Sequence, residues 1–249
     1  MDVAGREREF VRVAGPDAAD YLQRMVSNDV EALGPGDACP ALLLTAKARV
    51  IAPLVVLRRA DDDFLLLTEP GLGEAVRALL TRMRLRAQCE VEPEEHESVL
   101  LFGGTDGFAT DWPGAHELLD TGFEPTLSEE QLELRRIEGR VPRWGHEIDG
   151  RILPAEAGLD ATHVSFSKGC YPGQEPVARL HFRGHPNRGL RVVELDDLPD
   201  YDAPLLHAGR EVGRVTSAAR REDGTVVALA YVRTEVPDDA PLALAARAG

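Results

Sequence analysis

The hydrophobic pattern of the first part of the chain alternates between strand-like and helix-like segments. Residues 9–15 (EFVRVAG) alternate apolar and polar positions and predict a strand. Residues 18–26 place apolar side chains at helical spacing, and Asp17 is the predicted N-cap of this helix. The same patterns predict strands over residues 39–45, 49–57 and 63–68 and a helix over residues 74–83.

The middle of the chain mixes shorter elements with turns. Strands are predicted over residues 85–91 and 99–102, separated by an acidic loop at 93–97. A helix is predicted to begin after Ser128, because Gln131 three residues later completes a capping box. Residues 163–166 predict a short strand. A helix is predicted from Glu175 onward, with Pro176 in its first turn.

The last 60 residues predict strands only. They cover residues 190–195, 204–207, 211–218, 226–232 and 241–245, with tight turns at 208–210 and 222–224. This change predicts a small, separate β-barrel or sandwich over residues 188–249 after an α+β region over residues 1–187.

Composition narrows the class of protein. The chain has 249 residues, a net charge of −15 and three cysteines without paired spacing. We expect a cytoplasmic monomer, because the sequence shows no signal peptide, no apolar stretch of about 20 residues and no disulfide framework. The acidic charge opposes non-specific binding to nucleic acid or to anionic membranes.

Basic residues are concentrated in one segment of this acidic chain. Residues 168–191 contain five lysine or arginine residues and a single acid, Glu175. This segment predicts a site for an anionic small molecule or an acidic partner, although chance clustering would give the same pattern. Lys168 lies in it and is one of only two lysines in the chain, which favours a specific role for a compact ammonium.

Residues 168–175 (KGCYPGQE) are the densest group of chemically active side chains. The flanking patterns predict a strand, a tight turn and a helix. This would hold Cys170 just before a helix N-terminus, where partial positive charge favours a thiolate. A glycine-rich turn around a small buried cysteine is an equally good interpretation of the local sequence.

Other catalytic classes find little support. No phosphate-binding loop, serine-hydrolase elbow or zinc-protease motif is present. Cys170, His181 and His185 do not match a zinc spacing, so we predict no metal site. A Cys–His hydrolase remains a minor hypothesis because no histidine is selected by its spacing, and a binding module with a silent Cys170 is a further alternative.

The motif resembles that of a known family. Residues 168–175 are similar to the Lys-Gly-Cys-(Phe/Tyr)-x-Gly-Gln-Glu signature of the YgfZ family, the folate-binding branch of the glycine-cleavage T-protein (aminomethyltransferase) superfamily. Weaker resemblances to the superfamily extend over nearly the whole chain, at residues 10–18, 28–30, 134–142, 154–159 and 212–218.

The resemblance implies a T-protein-like α+β fold, with two interleaved α+β subdomains over residues 1–187 around a folate cavity, closed by a C-terminal antiparallel β-barrel over residues 188–249. It implies that tetrahydrofolate or a derivative is the cofactor. It also implies an accessory role in assembly or repair of iron–sulfur enzymes, with iron–sulfur enzymes or assembly proteins as partners. Cys170 and Lys168 are the corresponding candidates for catalysis.

The folate contacts are carried over residue by residue. Asn28, Asp29 or Glu156 would hydrogen-bond the pterin edge, and Tyr171 would pack against a ring. The glutamate carboxylates of folate would meet arginines, and further contacts would come from the motif itself; these candidates are Arg136, Arg179, Arg183, Gln174 and Glu175.

Two departures from the T-protein pattern bear on activity. The T-protein carries an Asp pair, needed for aminomethyl transfer, where this chain has Ala52 and Pro53. Neither side chain can transfer a proton, so the alternative function, a folate-dependent aminomethyl or one-carbon transferase, is disfavoured and catalysis of any kind is left open. The folate-contacting Tyr-Thr-Gly-Glu stretch is also replaced, by residues 112–115 (WPGA).

Overall fold

A computed structural model describes residues 1–245, which contain fourteen strands and four α-helices. The N-terminal strands are β1 (Asp2–Gly5), β2 (Glu9–Ala14), β3 (Ala38–Leu44), β4 (Val50–Ala60), β5 (Asp63–Thr68), β6 (Glu90–Glu94), β7 (Ser98–Phe102), β8 (Phe108–Ala109) and β9 (Ala115–Leu119). They form two antiparallel sheets, a first sheet in the order β3-β4-β5-β2-β6 and a second in the order β1-β7-β9-β8.

Two helices cover one face of the first sheet. Helices α1 (Ala18–Met25) and α2 (Gly73–Met83) bury apolar residues against strand residues that alternate toward them. Tyr21 of α1 also donates a hydrogen bond to the carbonyl oxygen of Leu80 in α2, at 2.6 Å. Alternate residues of β4 and β5 pack into a second apolar core on the opposite face, so these central strands are buried on both sides.

Helix α3 (Glu129–Glu138) follows the second sheet and leads toward the C-terminal strands. Its predicted capping box is confirmed: the Ser128 hydroxyl accepts from the Gln131 amide, and the Gln131 side chain accepts from the Ser128 amide. Two short 3₁₀ helices, Pro154–Glu156 and Leu159–Ala161, then precede helix α4 (Gln174–Arg183).

The third sheet is built from β10 (Arg188–Leu195), β11 (Pro204–His207), β12 (Arg210–Arg220), β13 (Val226–Arg233) and β14 (Ala243–Leu244). Its antiparallel order is β10-β13-β12-β11-β14, and the pairings within residues 1–245 do not close it into a barrel. Barrel closure and the boundary between residues 1–187 and 188–249 stay predictions. Leu229 and Tyr231 of this sheet share a core with Leu42 of the first sheet.

Three local predictions are wrong. Residues 85–89 form turns and irregular chain with Leu85 at φ 51°, and the strand begins at Glu90, where it pairs with β2 and includes part of the predicted acidic loop. Residues 163–166 form no strand. In this stretch only the Ser165 amide donates a hydrogen bond to a distant backbone segment, at the Ser27 carbonyl oxygen. Asp17 does not cap α1; its carboxylate accepts from the Gln88 amide.

Within residues 1–245, no helix is both long and apolar enough to span a membrane.

Candidate functional site

The motif loop, residues 168–175, is attached to the end of helix α1 by Lys168. The Lys168 ammonium donates to the carbonyl oxygens of Gln23, Val26 and Asn28 at 2.6, 2.7 and 2.7 Å. These are carbonyls that the end of a helix leaves without intrahelical partners, at the negative pole of the helix dipole. Burial lowers the pKa of Lys168 to about 8, so the ammonium is still charged at pH 7.

The other end of the motif loop rests on the hairpin between β3 and β4. Gly173 has φ 84°, and a Cβ atom there would lie 2.5 Å from the carbonyl oxygen of Thr45. Both the left-handed backbone and the close approach require glycine. Tyr171 is buried in the core shared with the third sheet, and its ring lies 5.4 Å from the Lys168 nitrogen.

Cys170 lies between these two attachments and is exposed to solvent. The prediction that a cysteine here precedes a helix is confirmed, because α4 begins at Gln174. The alternative of a buried cysteine is wrong. Cys39 and Cys89 are also free thiols, but burial raises the pKa of both, that of Cys39 to about 12.

Asn28 and Asp29 lie beside the motif loop, and their polar atoms are largely used within the protein. The Asn28 amide donates to the carbonyl oxygens of Pro40 and Thr162, at 2.7 and 3.2 Å. Asp29 accepts from the Gln23 amide at 2.9 Å. These contacts stabilise the turn whose carbonyls Lys168 binds.

The remaining predicted contact residues lie on α4 and in the 3₁₀ helix Pro154–Glu156. Gln174, Glu175 and Arg179 lie on α4, where Glu175 and Arg179 are exposed. Glu156 is half-buried and accepts from Arg188 at 2.9 Å and from the Leu153 amide at 2.9 Å. The basic segment is therefore partly neutralised, since Arg191 also pairs with Asp238.

Arg136 lies away from the motif loop in a buried hydrogen-bond network. All five of its N–H donors are used, by the carboxylates of Glu133 and Glu147, the Ser217 hydroxyl and the Val141 carbonyl. Glu147 is fully buried and also accepts from Ser217. Arg136 thus joins α3 to β12 and keeps no free donor for a ligand carboxylate.

A cavity of about 870 Å³ lies between the N-terminal strands, α3 and the third sheet. Its lining combines an aromatic ring, aliphatic side chains and charged groups of both signs, among them Arg6, Glu69, Trp112, Leu132, Arg143 and Arg220. Of the eleven candidate residues from the sequence analysis, only Arg136 lines this cavity. Trp112 belongs to the stretch that departs from the T-protein pattern.

A buried ion cluster adjoins the cavity. Arg6 and Arg8 share the carboxylates of Asp111, Glu117 and Glu69, with the Asp111 and Glu117 contacts between 2.7 and 3.7 Å. Burial alone would raise the pKa of Asp111 and Glu117, but the two arginines outweigh it: the pKa of Asp111 lies well below its usual range and that of Glu117 is about 2. Sequence reasoning missed this cluster because its members lie up to 111 positions apart.

Glu69 is the least firmly held member of the cluster. Its nearest cations are Arg6 and Arg8, at 3.5 and 3.7 Å, and its side chain is 16% exposed at the cavity wall. Trp112 is buried beside it, with the Arg6 guanidinium 5.7 Å from the indole centroid. A carboxylate next to an aromatic ring suits a flat heterocycle with N–H donors on its edge.

His163 lies between the cluster and the motif loop. Burial lowers its pKa to about 4, and Asp111 and Arg8 are among the charges that act on it. Its carbonyl oxygen accepts from the Ser27 hydroxyl at 2.6 Å, next to the turn that Lys168 binds.

No group of three or more His, Cys, Asp and Glu side chains in the described part of the chain is arranged to hold a metal ion.

Ala52 and Pro53 are buried in β4. Ala52 is part of the apolar core under α1 and α2, and the Pro53 carbonyl accepts from the Thr68 hydroxyl at 2.9 Å. The substitution of the T-protein Asp pair therefore leaves apolar side chains at a position without solvent access.

Known proteins are similar to this chain in sequence, and a known structure is similar to it in fold. The family model of the GCVT N-terminal domain matches residues 6–104. "tRNA-modifying protein YgfZ" of Klebsiella pneumoniae (strain 342) is 27% identical over 91% of this chain and 83% of the relative. The protein of the same name, "tRNA-modifying protein YgfZ", from Serratia proteamaculans (strain 568) is 27% identical over 94% of this chain and 84% of its own length.

Aminomethyltransferases are similar as well. That of Lysinibacillus sphaericus (strain C3-41) is 24% identical over 84% of this chain and 72% of the relative. The crystal structure of glycine cleavage system aminomethyltransferase T from Bartonella henselae matches with a TM-score of 0.78 and 19% identity, over 97% of this chain and 81% of that one. The expected T-protein-like fold is confirmed, and this chain is similar to YgfZ proteins over more than nine tenths of its length.

Proposed function

We propose that this protein binds tetrahydrofolate or a close derivative in the 870 Å³ cavity and, through the exposed Cys170, supports the assembly or repair of iron–sulfur enzymes. The observation that carries the proposal is the cavity itself. Its volume lies within the range of about 300–1,000 Å³ that is usual for small-molecule sites. Its mixed lining matches a ligand with a flat polar head, an aromatic middle and an anionic tail.

The head of the ligand fits the wall formed by Glu69 and Trp112. A pterin has an amino group and a ring N–H side by side, which a carboxylate can accept together. Glu69 is the available acceptor, because its two arginine contacts are long. Trp112 offers a buried ring face or edge for packing against the heterocycle.

The tail fits the arginines on the opposite side of the cavity. The Nε atom of Arg143 is buried without a hydrogen-bond partner, and Arg143 contacts Glu133 only at 3.3 Å. Arg220 is exposed and its nearest carboxylate, Asp197, is 3.9 Å away. These two arginines, rather than the fully engaged Arg136, are the proposed partners of the glutamate carboxylates.

Thermal unfolding tests the cofactor. At a ligand concentration of 100 times Kd, binding stabilises the folded state by about 2.7 kcal/mol, which corresponds to a rise in Tm of roughly 5–10 °C for a chain of this size. We expect this rise with tetrahydrofolate and none with p-aminobenzoylglutamate alone. Unchanged Tm at saturating tetrahydrofolate would contradict the proposal.

The accessory role rests on Cys170, which the motif loop presents to solvent between two firm attachments. In cells that lack the protein, we expect reduced activity of a [4Fe–4S] hydro-lyase, restored by the wild type but not by Cys170→Ser. Cys39→Ser is the matched control because that thiol is half-buried. Full restoration by Cys170→Ser would contradict the role of this thiol.

Aminomethyl transfer is the weaker alternative. With Ala52 and Pro53 in the core, β4 presents no carboxylate to take part in proton transfer. We expect no ammonia release from aminomethylated lipoyl carrier protein and tetrahydrofolate. Release at a rate above that of the buffer would reinstate the transferase.

The YgfZ relatives are named for tRNA modification. We propose an indirect link for this chain, in which a supported iron–sulfur enzyme modifies the tRNA. A net charge of −15 opposes direct contact with RNA phosphates. A mobility shift of tRNA by low micromolar protein at about 0.15 M salt would contradict the indirect link.

A further inference from the structure

An exposed group of aromatic and basic side chains lies directly beside the motif loop. This α4 surface consists of Phe166, just before the loop, and Arg179, His181, Phe182 and Arg183 on α4. Phe182 is 68% exposed, and both arginines and the histidine are exposed as well. A phenyl ring left in water on a helix costs free energy that burial against a partner would recover.

The rings contact one another, and the half-buried Phe166 also packs against the core shared with the third sheet. Phe166 stacks on His181 with centroids 3.9 Å apart, and Phe182 meets both rings edge-on, at 5.6 and 4.9 Å. The three rings therefore form one continuous aromatic face on the protein surface. Aromatic residues at such positions are enriched in protein–protein interfaces.

The two arginines on this surface are unusual in their lack of partners. Within residues 1–245, neither Arg179 nor Arg183 forms an ion pair, whereas most arginines of this acidic chain do. Two acids lie near this surface: Glu175, one turn before Arg179 on α4, and Asp160, which lies 3.6 Å from His181. Two guanidinium groups one helical turn apart are thus free to meet carboxylates.

We propose that the α4 surface docks an acidic segment of a partner protein. An apolar side chain of that segment packs against Phe182, and its carboxylates meet Arg179 and Arg183. A protein segment fits better than RNA, since two arginines offer few phosphate contacts and the chain as a whole carries a charge of −15. A second copy of this chain is a poorer partner, because two molecules that each carry a net charge of −15 repel one another.

The position of this surface gives the docking a consequence. Cys170 precedes the first residue of α4 by four positions, and Lys168 and Gly173 fix the loop between them. A segment bound along α4 would lie next to the exposed thiol. The inference rests on the residues of the α4 surface alone and does not require folate binding.

Peptide titration followed by amide NMR tests the docking. The probe is a 15-residue peptide with Asp and Glu flanking central Phe and Leu residues, and its control replaces the acids by Asn and Gln. We expect saturable shifts of α4 amides with the acidic peptide, at least fivefold weaker binding of the neutral peptide, and loss of binding between 0.15 and 0.5 M salt.

Two variants locate the binding. Arg179→Glu with Arg183→Glu, and separately Phe182→Ser, should each weaken peptide binding at least fivefold without lowering the Tm of the ligand-free protein. The matched controls are Arg82→Glu with Arg86→Glu and Leu85→Ser, exposed residues at the end of α2, which should leave peptide binding unchanged.

Three results would overturn the inference. The first is the absence of α4 shifts at millimolar acidic peptide, and the second is equal weakening by the α2 controls. The third is a single-stranded oligonucleotide of 15 uridines that shifts the same amides at lower concentration than the peptide, because this would assign the surface to RNA.

Discussion

The motif loop and the cavity are built in opposite ways. The loop is contiguous in sequence, contacts its neighbours chiefly through backbone carbonyls, and leaves one thiol exposed. The cavity is assembled from residues between Gly5 and Arg220, and its charged side chains contact one another. A contiguous, backbone-held loop can present a reactive group, whereas a cavity of dispersed charges can bind and orient a ligand. In the proposed function, the cavity therefore binds the ligand and the motif loop presents the Cys170 thiol.

The largest expected effect concerns the cavity wall. Arg136→Met removes the cation from the fully buried Glu147 and should lower the free energy of unfolding by about 3–5 kcal/mol. Urea denaturation measures this loss. Arg135→Met, whose side chain is 39% exposed, is the neighbouring control with an expected loss below about 1 kcal/mol. Similar small losses for both variants would mean that Arg136 is free for a ligand.

Next in size is the attachment of the motif loop. Lys168→Met leaves three carbonyls, one buried and two part-buried, without their donor and should cost about 2–3 kcal/mol, at about 1 kcal/mol per hydrogen bond. Hydrogen exchange should quicken in the last turn of α1, and alkylation of Cys170 should change in rate. Lys47→Met, the exposed second lysine, is the control. Unchanged stability in the Lys168 variant would contradict the attachment.

The two glycines of the motif offer a matched pair. Gly173→Ala must adopt φ 84° and approach Thr45, so we expect a loss of at least about 1–2 kcal/mol from the left-handed backbone alone. Gly169→Ala meets no atom within 4 Å and should change stability by less than about 0.5 kcal/mol. Chemical denaturation of the two variants decides the point, and equal losses would refute the close docking of the loop.

The smallest effect lies outside both places, at the junction of the first two sheets. His96 contacts Asp120 at 2.6 Å and Glu94 at 2.9 Å; burial opposes the charged form, but the two carboxylates raise its pKa above 6.5. A raised folded pKa gives stability that is present below pH 6.5 and is lost as the pH rises through the folded pKa.

The difference in unfolding free energy between wild type and His96→Gln should thus shrink with rising pH, by less than about 1 kcal/mol. Denaturation at several pH values from 5 to 9 measures it. A difference that grows with pH would contradict the pairing, while Cys170 alkylation should be unaffected throughout.

The sequence predicted what depends on local patterns. The strands under α1, the capping box of α3 and the start of α4 follow from periodicity and capping, which act over a few residues. The predicted strand at 163–166 was wrong because its apolar alternation packs beside α1 and α4 without a sheet edge to pair with. Local patterns do not report whether such an edge exists.

The charged residues show the corresponding limit for the site. Arg136 lies in a motif-like segment and was expected to face a ligand, but Glu147 and Ser217 arrive from distant positions and occupy it. Glu69 carried no signal, since its relation to Arg6 and Trp112 arises only from the packing of the first two sheets. Ligand contacts made by tertiary packing have no pattern in one sequence.

The most direct test of the division of work is the tetrahydrofolate affinity of Glu69→Gln and Cys170→Ala, measured by calorimetry. The account predicts at least tenfold weaker binding for Glu69→Gln and an affinity within twofold of wild type for Cys170→Ala. Weaker binding of Cys170→Ala with no change in Glu69→Gln would place the folate at the motif loop and contradict the account.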